Sequence, residues 1–302
     1  MSQQDRHRGC LLGLACGDAV GTTVEFRPRG SFPKVTDMTG GGPFRLPDGA
    51  WTDDTSMALC LATSLVETGR FDPADQMQRY LRWYDDGYLS STGVCFDIGN
   101  ATRTALERFR RTGDPWSGST DPQSAGNGCV MRLAPVPMFF HADPVAAVQW
   151  SGESARTTHG AEECVEACRL LGAMLVAALN GADKDEVLFG HHASTYRTSA
   201  VSAIAGGRHR RFTRDQVSGS GYVIACLEAS AWCVLQTRSF EEAVLLAVNL
   251  GDDADTTGAV TGQLAGALYG ESGIPQTWRD KLVMGAQIRE LANRLSAGDI
   301  SS

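Results

Sequence analysis

An all-α fold in a single domain is what this sequence predicts, and three observations carry the prediction. Apolar residues recur at helical spacing through most of the chain, while alternation of period two is almost absent. No linker separates two apolar cores, and no segment repeats in tandem. The 302 residues carry 42% hydrophobic side chains, ample for one large buried core.

Residues 5–21 read as the first helix, with Gly9, Gly13, Gly17 and Gly21 along one face. Each glycine costs a helix roughly 1 kcal/mol relative to alanine. Such a ridge needs an offsetting gain, and close approach of another backbone supplies one. A second ridge, Gly258, Gly262, Gly266 and Gly270, follows the helix expected at 255–269. In an apolar span this spacing would mark membrane dimerisation. Asp18 interrupts the first ridge and the second run is too short, so soluble packing is expected, against each other or against other backbone.

A loop rich in Gly, Pro and charge fills residues 27–50, and Trp51-Thr52-Asp53-Asp54-Thr55 then opens a helix over 56–68. Pro73 starts the next helix, with Met77, Tyr80, Leu81 and Tyr84 facing inward. A turn-rich stretch over 90–100 leads into a helix at 100–111, and a Gly/Ser/Pro loop over 113–128 ends in Gly126-Asn127-Gly128. Further helices are expected at 143–156, 161–180, 183–193, 221–237, 239–249 and 276–295. The segment 194–220, with the basic run Arg208-His209-Arg210-Arg211, reads as a solvated loop, with a phosphate contact as the lesser reading.

A formal net charge of −8 argues against nucleic acid as a partner, since phosphate binding needs a basic face. Nine cysteines occur without a C-x-x-C pair, mostly among apolar neighbours, as in reduced thiols of a cytosolic protein. Cys164 and Cys168 share a helix face, but no histidine spacing completes a zinc set. With no leader pattern and no apolar run of spanning length, cytoplasmic location without membrane association is expected. A monomer is expected.

Chemistry concentrates in Asn249-Leu-Gly-Asp252-Asp253-Ala-Asp255-Thr256-Thr257-Gly258, at the start of a buried helix. One aspartate there is an ordinary cap. Three repel one another unless cations lie among them, and oxygen-only ligands select Mg²⁺, Mn²⁺ or Ca²⁺ over zinc. Thr52-Asp53-Asp54 repeats the pattern about 200 residues earlier. The four aspartates of these two pairs balance two divalent cations, although two unrelated capped helix starts would look similar.

These residues resemble the ADP-ribosylglycohydrolases. The resemblance rests on Gly17-Asp18-Ala19-Val20-Gly21 with Glu25 following, Trp51-Thr52-Asp53-Asp54-Thr55, Gly126-Asn127-Gly128 before Met131-Arg132, Thr158-His159, and Gly251 to Gly258. It covers nearly the whole chain. Thr92-Gly-Val-Cys-Phe-Asp97-Ile-Gly99 and Gly221-Tyr222-Val223 look like the dinitrogenase reductase-activating branch, whose members cleave ADP-ribose from arginine. The resemblance implies two Mg²⁺ or Mn²⁺ ions held by Thr52, Asp53, Asp54, Asp253, Asp255 and Thr256, with Asp255 expected to bridge them. It further implies that Gly126, Asn127 and Gly128 receive the pyrophosphate of ADP-ribose through their amides. His159 is a second candidate contact, or a helix-end histidine bonded to backbone; Tyr222 stacks on the ligand or packs against Trp232.

The implied reaction frees ADP-ribose from an arginine of a modified protein, with Asp97 and Glu25 as acid–base and positioning candidates. An Asx turn before Gly99 is the alternative role for Asp97. Other functions weighed are hydrolysis of another ADP-ribosyl linkage, to serine, a nucleobase or a metabolite, and a non-catalytic protein that binds ADP-ribose or blocks a toxin. One departure is visible: many members carry two glycines before the C-terminal acid pair, and here Asp252 takes the second place. A less relaxed backbone is expected there.

Overall fold

The computed structural model describes residues 1–298, which fold as a single all-α domain with no strand among them. The helices in chain order are α1 (Gln3–Gly21), α2 (Asp53–Thr68), α3 (Pro73–Asp86), α4 (Asn100–Thr112), α5 (Pro135–Phe139), α6 (Pro144–Arg156) and α7 (Glu162–Leu179). There follow α8 (Lys184–Phe189), α9 (Ser199–Ala205), α10 (Val223–Gln236), α11 (Phe240–Val248), α12 (Ala254–Tyr269), α13 (Gln276–Lys281) and α14 (Gly285–Ala297). Local chemistry sets many of the boundaries. Asp72 and Asp143 cap α3 and α6 by accepting two amides each, both followed by a proline that needs no acceptor. No described helix is long and apolar enough to cross a membrane. All nine cysteines are free, and eight are buried.

At the centre, α1 and α12 run antiparallel with their glycine ridges in contact. A Cβ added at Gly9, Gly13 or Gly17 would overlap the carbonyl oxygen of Gly266, Gly262 or Gly258 respectively, and one at Gly21 that of Ala254. The reverse overlaps hold from Gly258, Gly262 and Gly266. The two ridges are therefore halves of one seam, buried on both helices.

Four expectations for the elements fail. The helix read over 276–295 breaks between α13 and α14, where Met284 takes φ 56. The cause is tertiary: the Val283 amide donates to Gly49 O, and the Trp51 indole donates to Val283 O. That junction fixes the approach to α2. The helix read over 183–193 stops at Phe189, where Gly190 closes its last turn onto Glu186 O. The segment 194–220 contains α9; in its basic run Arg208, Arg210 and Arg211 are exposed as expected, but the run is anchored. Arg208 forms a two-point pair with Glu228, His209 is fully buried, and the Arg210 guanidinium lies 3.4 Å from the centre of the Phe189 ring. The short α5, opened by Pro135 and carrying Pro137, has no counterpart among the helices expected from the sequence.

Candidate active site

The N-termini of α2 and α12 meet, and their acids converge. The Thr52 hydroxyl lies 3.1 Å from Asp255 Oδ2 and 3.3 Å from Asp54 Oδ2, so the two motifs touch despite their separation in sequence. Asp18, from the last turn of α1, ties the arrangement down. Its two oxygens accept the amides of Thr52 and Thr55 at 2.9 and 3.1 Å and their hydroxyls at 3.0 and 2.6 Å. It thereby caps α2 from another helix. Sequence reasoning missed this role; its signal was an acid inside an otherwise small and apolar buried helix.

Glu25, on the turn after α1, and Asp97, on the loop before α4, complete the cluster. Oxygens of Glu25, Asp97 and Asp255 lie within 4.8 Å of one another. Asp97 directs its carboxyl at Glu25 and Asp255 rather than at the Gly99 amide. Its backbone holds φ 60, a left-handed conformation for which aspartate is among the more tolerant residues. Asp252 holds φ 58, the strained backbone that replacement of glycine implied. Its amide donates to Arg27 O at 2.8 Å and its carbonyl accepts from Phe26 N at 2.7 Å. This bridge locks the Glu25 turn to the acid motif of α12.

These carboxyls are buried and incompletely paired. Asp54 Oδ1, Asp255 Oδ1 and Glu25 Oε2 are out of contact with solvent and without a hydrogen-bond partner. Burial, then the charges of Asp97, Asp253, Asp53 and Asp18, pushes Glu25 up to about 10. Burial first, and then Asp18 and Asp253, raises Asp97 to about 7. Burial first, and then neighbouring acids, pushes Asp53, Asp54 and Asp255 well above the usual carboxylate range. The cluster requires either protons or cations. Its donors are all hard oxygens, three of them unpaired, and this fits divalent cations of the Mg²⁺ or Mn²⁺ kind.

A stability test follows. An acid raised in the folded state binds its proton longer there than in the unfolded chain, so its contribution is full below the unfolded value and is lost as pH rises towards the folded one. Buried histidines held at about 4, His7, His159 and His209, act in the opposite sense below about pH 6.5. Between about pH 7 and about pH 8 the raised carboxyls, Glu25 with Asp53, Asp54 and Asp255, therefore dominate. The melting temperature of EDTA-treated protein is expected to fall across that interval, and Mg²⁺ or Mn²⁺ to raise it and flatten the fall. A profile indifferent to both pH and metal would show that the acids are compensated otherwise.

A cavity of about 760 Å³ opens over the cluster, lined by Glu25, Asp53, Asp97, Asp253, Asp255 and Thr256, and also by Gly126, Asn127, Gly128 and His159. Thr52 and Asp54 lie fully buried behind this lining. Asn127 ties the glycine loop to the acids, its side-chain amide donating to Asp253 Oδ2 at 2.8 Å. The glycine loop differs from expectation in one respect. The Gly126 and Asn127 amides already donate to Ser124 O and Gly221 O, which leaves the Gly128 amide to meet an anion. Gly128 is required by its neighbour, since a Cβ there would overlap the His159 imidazole.

Burial holds His159 down to about 4, so the ring is neutral. Its Nδ1 meets the Thr158 hydroxyl at 2.8 Å, and that hydroxyl accepts from buried Arg132 at 2.6 Å. Assigning the hydroxyl proton to Nδ1 leaves Nε2 as the donor, beside Gly128. Tyr222 stands outside the cavity lining, 42% exposed, and donates to Glu163 at 2.6 Å instead of packing against Trp232. It still borders the glycine loop through a bridge to Gly126.

Comparison with known proteins gives a consistent result. The family model described as ADP-ribosylglycohydrolase matches residues 1–301. ADP-ribosylarginine hydrolase Tri1 of Pseudomonas putida (strain GB-1) is 50% identical over 291 residues, 96% of this chain and 78% of that protein. ADP-ribosyl-[dinitrogen reductase] glycohydrolase of Rhodospirillum rubrum is 34% identical over 303 residues, 98% of this chain and 96% of that one. A solved structure titled "ADP-ribosylglycohydrolase-related protein complex" matches with a TM-score of 0.88 and 45% identity, covering 99% of each chain.

Proposed function

The chain belongs to the ADP-ribosylglycohydrolase family, and from that premise we propose that it hydrolyses the N-glycosidic bond between ADP-ribose and an arginine side chain of a modified protein. The observation that carries this reading is the cluster of buried Glu25 and Asp255, each with an unpaired oxygen, and half-buried Asp97, in a chain half identical to an ADP-ribosylarginine hydrolase. Thr52, Asp53, Asp54, Asp253, Asp255 and Thr256 would hold two divalent cations, Mg²⁺ or Mn²⁺. When bound, these would supply Lewis-acid charge beside the distal ribose. The Gly128 amide and His159 Nε2 would meet the pyrophosphate as neutral donors, and Asn127 would keep Asp253 oriented.

Hydrolysis places the hydroxyl of water on the ribose carbon and its remaining hydrogen on the guanidino nitrogen. The linked guanidinium keeps its charge to a pKa above about 12, so it departs as a neutral guanidine, and the proton released by the attacking water has to be carried to it. Asp97, whose carboxyl oxygen converges on those of Glu25 and Asp255, is placed to carry that proton. Glu25, raised by burial, positions the reacting groups in its protonated or cation-paired form. The test is turnover of defined arginine-linked and serine-linked ADP-ribosyl peptides with and without EDTA. Arginine-linked peptide should be hydrolysed at least about 100-fold faster, and EDTA should abolish the reaction until Mg²⁺ or Mn²⁺ is restored. Preference for the serine linkage would overturn the substrate assignment, and full activity in EDTA would overturn the cation assignment.

A further inference from the structure

Three phenyl rings line the mouth of the acid cavity, and the hydrophobic core does not account for them. Phe26 follows Glu25, Phe96 precedes Asp97, and Phe44 reaches the same place from across the intervening loop. The rings of Phe26 and Phe44 lie edge to face with centres 6.4 Å apart, and those of Phe44 and Phe96 lie 5.2 Å apart. Phe26 is 65% exposed and holds φ 60, an unfavourable backbone for a bulky residue. The bridge from its amide to Asp252 O fixes that backbone and leaves the ring on the cavity rather than in the core.

Phe44 is presented rigidly. Gly41 and Leu46 exchange amide–carbonyl bonds of 2.7 and 2.9 Å around it, and the Thr23 hydroxyl holds Gly40 O at 3.0 Å. A Cβ at Gly42 would overlap Thr22 O, so this turn is pressed directly against the end of α1.

We propose that Phe26, Phe44 and Phe96, together with Glu25 and Asp97, form a cage for the guanidinium of the target arginine. This deepens the arginine reading and rests on it. Guanidinium is a weakly hydrated, planar cation that stacks on aromatic faces and pairs with carboxylates, and the cavity mouth offers both. A serine linkage would bring neither plane nor charge. Adenine would bring a plane without the charge that the two acids call for.

Phe44→Leu and Phe26→Gly test the cage, the second also relaxing the left-handed backbone. For arginine-linked ADP-ribosyl peptide, KM should rise about tenfold in each. The calorimetric affinity for free ADP-ribose and the melting temperature should stay close to wild type. An unchanged KM overturns the cage, and an equal loss of ADP-ribose affinity assigns the rings to the nucleotide. Binding of Nα-acetylarginine amide, followed by NMR in the presence of ADP-ribose and Mg²⁺, separates this proposal from the activity. Wild-type binding that weakens in both variants supports the cage even if turnover shows another linkage to be the substrate. Absence of wild-type binding overturns it even if arginine-linked peptide is hydrolysed.

Discussion

Asp97→Asn is expected to lower hydrolysis of ADP-ribosylarginine by two or more orders of magnitude, about the effect of a lost acid–base group. Free ADP-ribose should still bind within several-fold of wild type. Asp97 brings a carboxyl to the acid cluster beside Glu25 and Asp255, where it can take and give a proton, and an amide can do neither. Asparagine keeps the shape of the side chain and tolerates the left-handed backbone at φ 60, so the turn should persist. Removing one negative charge from the cluster should also raise the melting temperature of EDTA-treated protein. Turnover and calorimetric ADP-ribose affinity, measured on the same variant, decide the matter. Surviving turnover would reduce Asp97 to a turn residue, and collapse of both would move it to the ribose site.

The second large effect belongs to the seam between α1 and α12. Gly13→Leu or Gly262→Leu should destabilise the fold by about 3 kcal/mol or more, the upper range for overpacked cores. Alanine makes the sharper test. In an exposed helix, glycine to alanine stabilises by roughly 1 kcal/mol, whereas here the added methyl would overlap the carbonyl of the facing glycine. The sign should therefore reverse at Gly13 and Gly262. Denaturant midpoints at least equal to wild type for the alanine variants would refute close packing as the reason for the glycines.

Spacing made the seam legible, because glycines at every fourth position weaken a helix unless a second backbone lies against them. The two acid motifs were legible as clusters because helix starts do not otherwise collect several aspartates. The partners of these residues were not. Asp18 sits among small buried residues, and only the fold brings Thr52 and Thr55 onto it. The glycine loop advertised free amides, yet two of them are consumed by acceptors, one of which, Gly221 O, is distant in sequence. The break after α13 depends on Gly49 O, and nothing within 276–295 announces it. Phe26, Phe44 and Phe96 read as ordinary apolar residues until the loop between them is folded.

The glycine seam has a consequence for how the active site can vary. Its contacts recur every four residues, so α1 and α12 fit closely in one register and could fit again only after sliding a whole step of about 6 Å. Such a slide would carry Asp255 a full turn away from Thr52 and dismantle the acid cluster. The seam thus acts as a ratchet with no intermediate stop, and the spacing of Asp18 and Asp255 is all or nothing. The turn of Glu25 and Phe26 is tied to the same register through Asp252, so gradual adjustment, for a different leaving group or a larger target, is left to the loop that carries Phe96 and Asp97.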